Sequence, residues 1–519
     1  MSRVDPNWVP PSGAPISVSG PPPPPPHRPH RVAYVFAVVM PLVLLIAVAA
    51  PLGVAWAWRS ARGTGPTGVP AASATQGEPG LGDPYYPEAG NSGYDVAKYQ
   101  IAVSWDPGKA TLSGTTVVSA RAEHRLQSFY LDFGLPVSKV LVNGQPAEFD
   151  LQSGSQLEVE PATEIAAGAE FAVAVTYAGN PAELNNGDTG PWHTTNAEWG
   201  VIGEPESSAW WFPANDHPSD PALIDVSVRV PAGMEAISVG RLESADSAKE
   251  KDFDTWHWVA RQPMATYLNF VTIGQYEVRQ GIQDGLPYVY AVSEQLRPEN
   301  RKKAFDALLT TTQRIRLMEQ IFGPYPFTEA GGVVPAHDLP FGALENQTRP
   351  VYNPNAILAE GYAPELMNHE LAHMWFGNNV TLREWNDIFT NEAYASWAQW
   401  IYNERTGKGK ADDKLNETYD QYARQAGFWQ ITMMDPSKSH LFDVVYARGP
   451  MAMQAVRNVM GDEAFFRLTR EWAQAPGSRS LEDWMDAAQA ASPVDLEPVF
   501  QAWIYSPTAP AKTVENGFR

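Results

Sequence analysis

A chain of 519 residues is too long for one hydrophobic core, so two or more domains are expected. With 44% apolar residues and 18 tryptophans the composition is globular, and a formal charge of −22 argues against a nucleic-acid partner, whose phosphates it would repel. No cysteine is present, which excludes disulfides and any thiolate metal cluster, so a bound metal must be held by nitrogen and oxygen.

Residues 1–31 are Pro-rich, with an unbroken run from Pro21 to Pro26; such a segment cannot bury a core and reads as a disordered cytoplasmic tail. Val32 to Trp58 carries no charged side chain. About 20 apolar residues suffice to cross a bilayer, so 32–58 reads as a transmembrane signal anchor, with a cleaved signal peptide as the competing reading. Arg28 and Arg31 before the span nearly balance Arg59 and Arg62 after it. A short tail inside and a large C-terminal part outside is the expected orientation, which predicts a single-pass cell-membrane protein with its catalytic domain extracytoplasmic. Residues 59–92, mostly Gly, Pro, Ala, Ser and Thr, read as a flexible linker.

Residues 93–278 read as a β-rich domain. Tyr99–Trp105, Thr115–Arg121 and Phe171–Tyr177 alternate in polarity, and Asn143-Gly144 marks a tight turn. Several short strands without a long helical pattern imply a sandwich or saddle-shaped sheet. From Arg297 the period changes: Phe305, Leu308, Leu309, Ile315, Met318 and Ile321 recur at helical spacing until Gly323-Pro324 stops them. Gly331 to Asn346 should bring a sheet strand past the site, and the pattern is helical again at Met451–Val459 and Leu481–Ala491. The expected fold is therefore multidomain α+β, a β domain followed by a mostly helical domain over 279–507, with 508–519 left as a tail.

The chemistry centres on His369-Glu370-Leu371-Ala372-His373. Histidines at i and i+4 share one helical face, so both imidazoles can reach one ion, while Glu370 faces the same side. This is the zinc-peptidase arrangement. A catalytic zinc takes three protein donors and leaves its fourth position to water. Glu392, nineteen positions beyond His373 in what reads as the first turn of a second helix, can be the third donor.

Around that pentad, His369–Gly377, Asn391-Glu392-Ala393-Tyr394, Gly342-Ala343-Leu344-Glu345-Asn346 and Val445-Tyr446-Ala447-Arg448-Gly449 stand in the order and spacing of a known family. Over residues 93 to 507 the chain resembles the zinc aminopeptidases that include aminopeptidase N and leukotriene A4 hydrolase, the gluzincin metallopeptidases. The resemblance implies an N-terminal saddle domain, a thermolysin-like catalytic domain and a single zinc held by His369, His373 and Glu392. It implies Glu370 as general base and acid, and Tyr446 as oxyanion donor. Glu345, with Gly342 and Ala343 of the same motif, would bind the substrate and grip its free amino group, and Glu204 in Gly203-Glu204-Pro205 would assist. Leu344 stands where the family more often has Met, Arg448 where it more often has Lys, and Gln347-Thr348 where Trp-Gly is usual. The last of these leaves amine recognition intact and puts selectivity for the first side chain in doubt. Asn346-Gln347-Thr348 is formally a glycosylation sequon, read as chance because a glycan there would block the site. Larger members add a helical C-terminal domain; without one the cleft is expected to be more open.

The expected activity is a membrane-anchored zinc metallo-aminopeptidase that hydrolyses N-terminal residues from peptides carrying a free N-terminus. An epoxide hydrolase of the leukotriene type and a catalytically silent peptide-binding ectodomain are the alternatives. His193, His217 and His337 have no partner at ligand spacing and read as packed or surface histidines, and His440 has no assigned work.

Overall fold

A computed structural model describes residues 76–152, 155–185, 190–250 and 252–519. Among the described residues no helix is long and apolar enough to cross a membrane. The longest, Phe389–Arg405, has 17 residues and carries Asn391, Glu392, Gln399, Asn403, Glu404 and Arg405 along its length, whereas a span needs about 20 apolar ones. The membrane-anchored, extracytoplasmic placement expected from the sequence is corrected accordingly. The expected tail at 1–31, the stretch 32–58 on which that placement rested, and half of the expected linker lie outside the described residues.

The first half is a β structure. Its main sheet has eight strands in the order Arg241–Glu250, Phe253–Met264, Ala222–Pro231, Tyr94–Asp106, Thr111–Ala122, Glu170–Gly179, Val137–Val142 and Gln145–Pro146. The strands expected from alternation lie inside Tyr94–Asp106, Thr111–Ala122 and Glu170–Gly179. Their alternate residues Tyr99, Ile101 and Val103, then Phe171, Val173, Val175 and Tyr177, are buried. The Asn143-Gly144 turn has φ of 51° and 78°, the left-handed pair that a two-residue hairpin turn requires. A four-stranded sheet, Glu235–Ile237, Val271–Gly274, Trp199–Val201 and Trp192–Thr194, follows.

The second half begins one strand earlier than the sequence suggests. Tyr276–Gln283, which straddles residues 278 and 279, pairs with Leu286–Ser293 and so opens a five-stranded sheet that continues through Ala330–Val334, Val351–Tyr352 and Ala343–Leu344. The helical pattern before Gly323 divides into α1 (Pro298–Leu308) and α2 (Thr311–Phe322). Then come α3 (Ala363–Ala372), α4 (Phe389–Arg405), α5 (Val445–Met460), α6 (Asp462–Ala473) and α7 (Leu481–Ala491). The C-terminal residues are not a loose tail. Phe518 is buried with its ring 4.9 Å from that of Tyr419, and the Asn516 carbonyl accepts the Trp503 indole N–H at 2.9 Å.

The two halves share packing. The core of the β half extends onto Leu344, Trp385, Ile388 and Leu441 of the second half, while the helices bury their own core of Trp375, Phe389, Trp397, Trp484 and Trp503.

Candidate active site

Helix α3 ends on Ala372, and His373 occupies its C-terminal cap. One turn earlier is His369, so the rings meet edge to face with centroids 4.8 Å apart and their Nε2 atoms at 3.1 Å. The His373 Nδ1 lies 2.9 Å from the Phe376 carbonyl. That carbonyl can only accept, so the ring proton sits on Nδ1 and the Nε2 lone pair is free to point into the site. Beyond His373 the chain must reverse to reach α4. Gly377 takes φ of +120° there, where a Cβ would also stand 3.1 Å from the Asn391 amide. Phe376 then stacks flat on Tyr394, ring centroids 4.0 Å apart, and fixes how the two helices cross.

That crossing carries Glu392, in the first turn of α4, to the two imidazoles: its Oε2 lies 3.1 Å from His369 Nε2 and 3.5 Å from His373 Nε2. No hydrogen bond reaches that oxygen, although it is fully buried. Lone pairs on His369, His373 and Glu392 thus face one another within 4.8 Å, an arrangement that costs free energy unless a cation is shared. Two imidazole nitrogens and a carboxylate oxygen are the donor types zinc takes in catalytic sites, where a fourth position is left to water. Burial pushes the Glu392 carboxyl up, but the imidazoles of His373 and His369 outweigh it and hold it down to about 2.

Glu370 sits beside this group. With Glu345 and His373 it forms a second cluster whose ligating atoms also lie within 4.8 Å of one another. Burial raises its carboxyl well above the usual range; His373 opposes the shift, and the charges of Glu345 and Glu392 add to it. Glu345 is only 3% exposed and follows Ala343–Leu344, the edge strand of the five-stranded sheet. Its carbonyl accepts from Asn378 Nδ2 at 2.8 Å, which ties that strand to the turn after α3. Its Oε1 accepts a hydrogen bond of 3.0 Å from the Tyr267 hydroxyl. Gly342 and Ala343 are half-buried just before it. Glu204 belongs to the β half, with one carboxylate oxygen buried and unpartnered. Its carboxyl is driven up by burial and then by the charges of Glu345 and Glu392.

Tyr446 stands at the start of α5. Gly449, one turn on, lets α5 lie directly on α4: a Cβ there would be 2.8 Å from that of Ala393. The ring of Tyr446 comes 5.8 Å from His369, is 43% exposed, and its hydroxyl has no hydrogen-bond partner among the described residues. Arg448, two residues on, is wholly buried and donates to the carbonyls of Trp429, Ile431, Trp503 and Ser506 at 2.6–2.9 Å. Its role is to fasten the C-terminal segment beneath Tyr446.

The remaining histidines do not join the site. His217 bonds Ser219 and Asp83, His337 stacks on His193 at 5.5 Å, and His440 pairs with Asp443 at the surface. Asn346 is fully buried and donates to the Leu268 carbonyl, so its sequon is inaccessible to a glycan. Sequence reasoning missed Tyr267 and Trp385, whose rings pack 5.5 Å apart beside Glu345. It also missed Asp83, which accepts from the Trp385 backbone N–H and bonds His217 Nε2, and so pins its own segment to both halves. No periodicity marks such residues; they are identified only by what they touch.

A two-histidine, one-glutamate donor set with a further carboxylate on the histidine helix is of the type that zinc metallopeptidases use. Residues 307–503 match the peptidase family M1 domain. The chain is 25% identical over 323 residues to probable aminopeptidase 2 of Sulfurisphaera tokodaii, covering 57% of this chain and 39% of that protein. It is 24% identical over 364 residues to glutamyl aminopeptidase of Sus scrofa, covering 64% of this chain and 38% of that one. The chain thus spans about two fifths of the length of the curated relatives it matches. Among solved structures, an M1 zinc metallopeptidase of Deinococcus radiodurans superposes with a TM-score of 0.73 at 25% identity, over 83% of this chain and 99% of that one. A glutamate-to-alanine variant of the same enzyme, bound to a Tyr-Ser-Ala substrate, superposes with a TM-score of 0.72 over the same shares. The segment 307–503 thus matches the M1 peptidase domain, and the chain is similar to the M1 zinc metallopeptidases, the gluzincin aminopeptidase family, whose solved members are zinc enzymes.

Proposed function

We propose that the protein is a zinc aminopeptidase that removes the N-terminal residue from peptides with a free amino end. The observation that carries this reading is the convergence of His369, His373 and Glu392 on one point, with Glu370 and Glu345 clustered against the same histidine. His369, His373 and Glu392 would hold the zinc, which would supply an acidified water and a Lewis acid for the scissile carbonyl. Glu370, on the same helix as the two imidazoles and clustered with His373, accepts the proton of the attacking water and returns it to the departing amine. The unpartnered Tyr446 hydroxyl donates to the carbonyl oxygen as negative charge develops on it. Glu345 and Glu204 accept from the substrate ammonium, and that fixed distance from the metal donors restricts cleavage to the first peptide bond.

The test compares aminoacyl p-nitroanilides with their N-acetylated counterparts, before and after chelation and after zinc is restored. Cleavage of the free-amine substrates alone, lost on chelation and regained with zinc, is expected. Equal cleavage of acetylated substrates would remove the exopeptidase assignment, and no turnover by the zinc-loaded protein would remove the enzymatic one.

A further inference from the structure

The β half contributes more than packing to the amine end of this site. The short turn Thr266–Leu268, which follows strand Phe253–Met264, lies against the segment that carries Glu345: the Leu268 carbonyl accepts from Gln347 N at 3.2 Å and from Asn346 Nδ2 at 3.2 Å. The turn itself is fastened from below, since the Thr266 hydroxyl donates to buried Asp216 at 2.5 Å. Between those attachments Tyr267, 2% exposed, donates to Oε1 of Glu345. One ring supports it: Trp385 lies 5.5 Å away and is in turn capped by Tyr86 at 5.9 Å. Oε2 of Glu345 takes no hydrogen bond from the described residues.

The surroundings of Glu345 make that single donor matter. Its carboxylate lies beside Glu370 and within electrostatic reach of Glu204 and Glu392. With no donor the Glu345 side chain is free to rotate away from the site, and a buried carboxylate left unpaired is costly. A donor on one oxygen holds the carboxylate in place while leaving the other oxygen to a ligand.

We infer that Tyr267 is a positioning residue for amine recognition: its hydroxyl holds Glu345 so that the free carboxylate oxygen meets the substrate ammonium. The inference rests on the aminopeptidase reading above. The hydroxyl bonds Glu345 and none of His369, His373 and Glu392, so its loss weakens capture of the amine and leaves the bond-breaking step nearly unchanged.

The probes are leucine hydroxamate and its des-amino analogue, 4-methylpentanoyl hydroxamate, which differ only in the amine. For the wild-type zinc enzyme the amine-bearing compound is expected to inhibit far more tightly. In Tyr267→Phe the ratio of the two inhibition constants should fall about tenfold or more, the scale set by removing one donor from a charged acceptor. KM for leucine p-nitroanilide should rise in parallel, with kcat within about threefold. A merely structural role would weaken both hydroxamates alike and leave the ratio unchanged, and that result overturns the inference. A wild-type enzyme indifferent to the amine would instead overturn the aminopeptidase reading. Should Tyr267→Phe fail to fold, a crystal structure of the wild type with leucine hydroxamate decides. Oε1 is expected to remain on Tyr267 with Oε2 on the ligand nitrogen; a Glu345 carboxylate rotated off Tyr267 refutes the role.

Discussion

The metal end and the amine end proposed for the site are built by opposite strategies. At the metal end, His369, Glu370 and His373 share one helical turn, and Glu392 is delivered by the next long helix; a single crossing, set by Phe376 on Tyr394, completes the donor set. At the amine end, Glu345 comes from a sheet edge, Tyr267 from a turn of the β half, Glu204 from another loop of that half, and Trp385 from a loop before α4. The first can be assembled by one half of the molecule, whereas the second exists only where the two halves meet. The difference teaches that the chemistry is local and the choice of substrate end is not.

Breaking the metal end should have the largest effect. His373→Ala is expected to lose both zinc, measured by metal analysis, and activity to background, because a buried donor set lacking one member no longer offsets its own desolvation. Glu370→Gln should retain zinc yet lower kcat by about 10²–10⁴-fold, the range for a removed general base. Retained zinc with unchanged kcat would contradict the assignment of Glu370. Tyr446→Phe, between the two ends, should lower kcat by about 10²–10³-fold with little change in KM, as expected for a donor that engages only the developing oxyanion.

At the amine end, Glu345→Gln should act mainly through KM for free-amine substrates, by about tenfold or more, and the discrimination against acetylated substrates should shrink with it. If KM stays put while kcat collapses, the two ends are not separable in the way proposed here. Smallest is Arg448→Lys. The lysine keeps the charge but cannot reach four carbonyls, so stability in urea should fall by about 1–3 kcal/mol while kcat changes less than about threefold.

Much of the fold was legible because its cause is local. Alternation at Tyr99–Trp105 and Phe171–Tyr177, the Asn143-Gly144 turn, and the helical run Leu481–Ala491 all come from backbone preferences that act over a few residues. The break between α1 and α2 was not, because the apolar spacing continues through Leu309 while the chain bends at Thr310. Nor was the membrane-anchored placement sound: it rested on residues 32–58 and their flanking arginines, outside the described residues, and no described helix is long and apolar enough to cross a membrane.

The sequence by itself determined the zinc donor types, their helical register and the carboxylate between them, since a period of 3.6 residues places i and i+4 together wherever the helix stands. Only the tertiary structure decided that Tyr267 would reach Glu345, that Arg448 would anchor the C-terminal segment, and that Trp385 and Tyr86 would pack edge to face beside Tyr267. Those contacts join residues tens to hundreds of positions apart, and which of many possible partners meet is fixed by the packing of whole elements, which no short stretch of residues encodes.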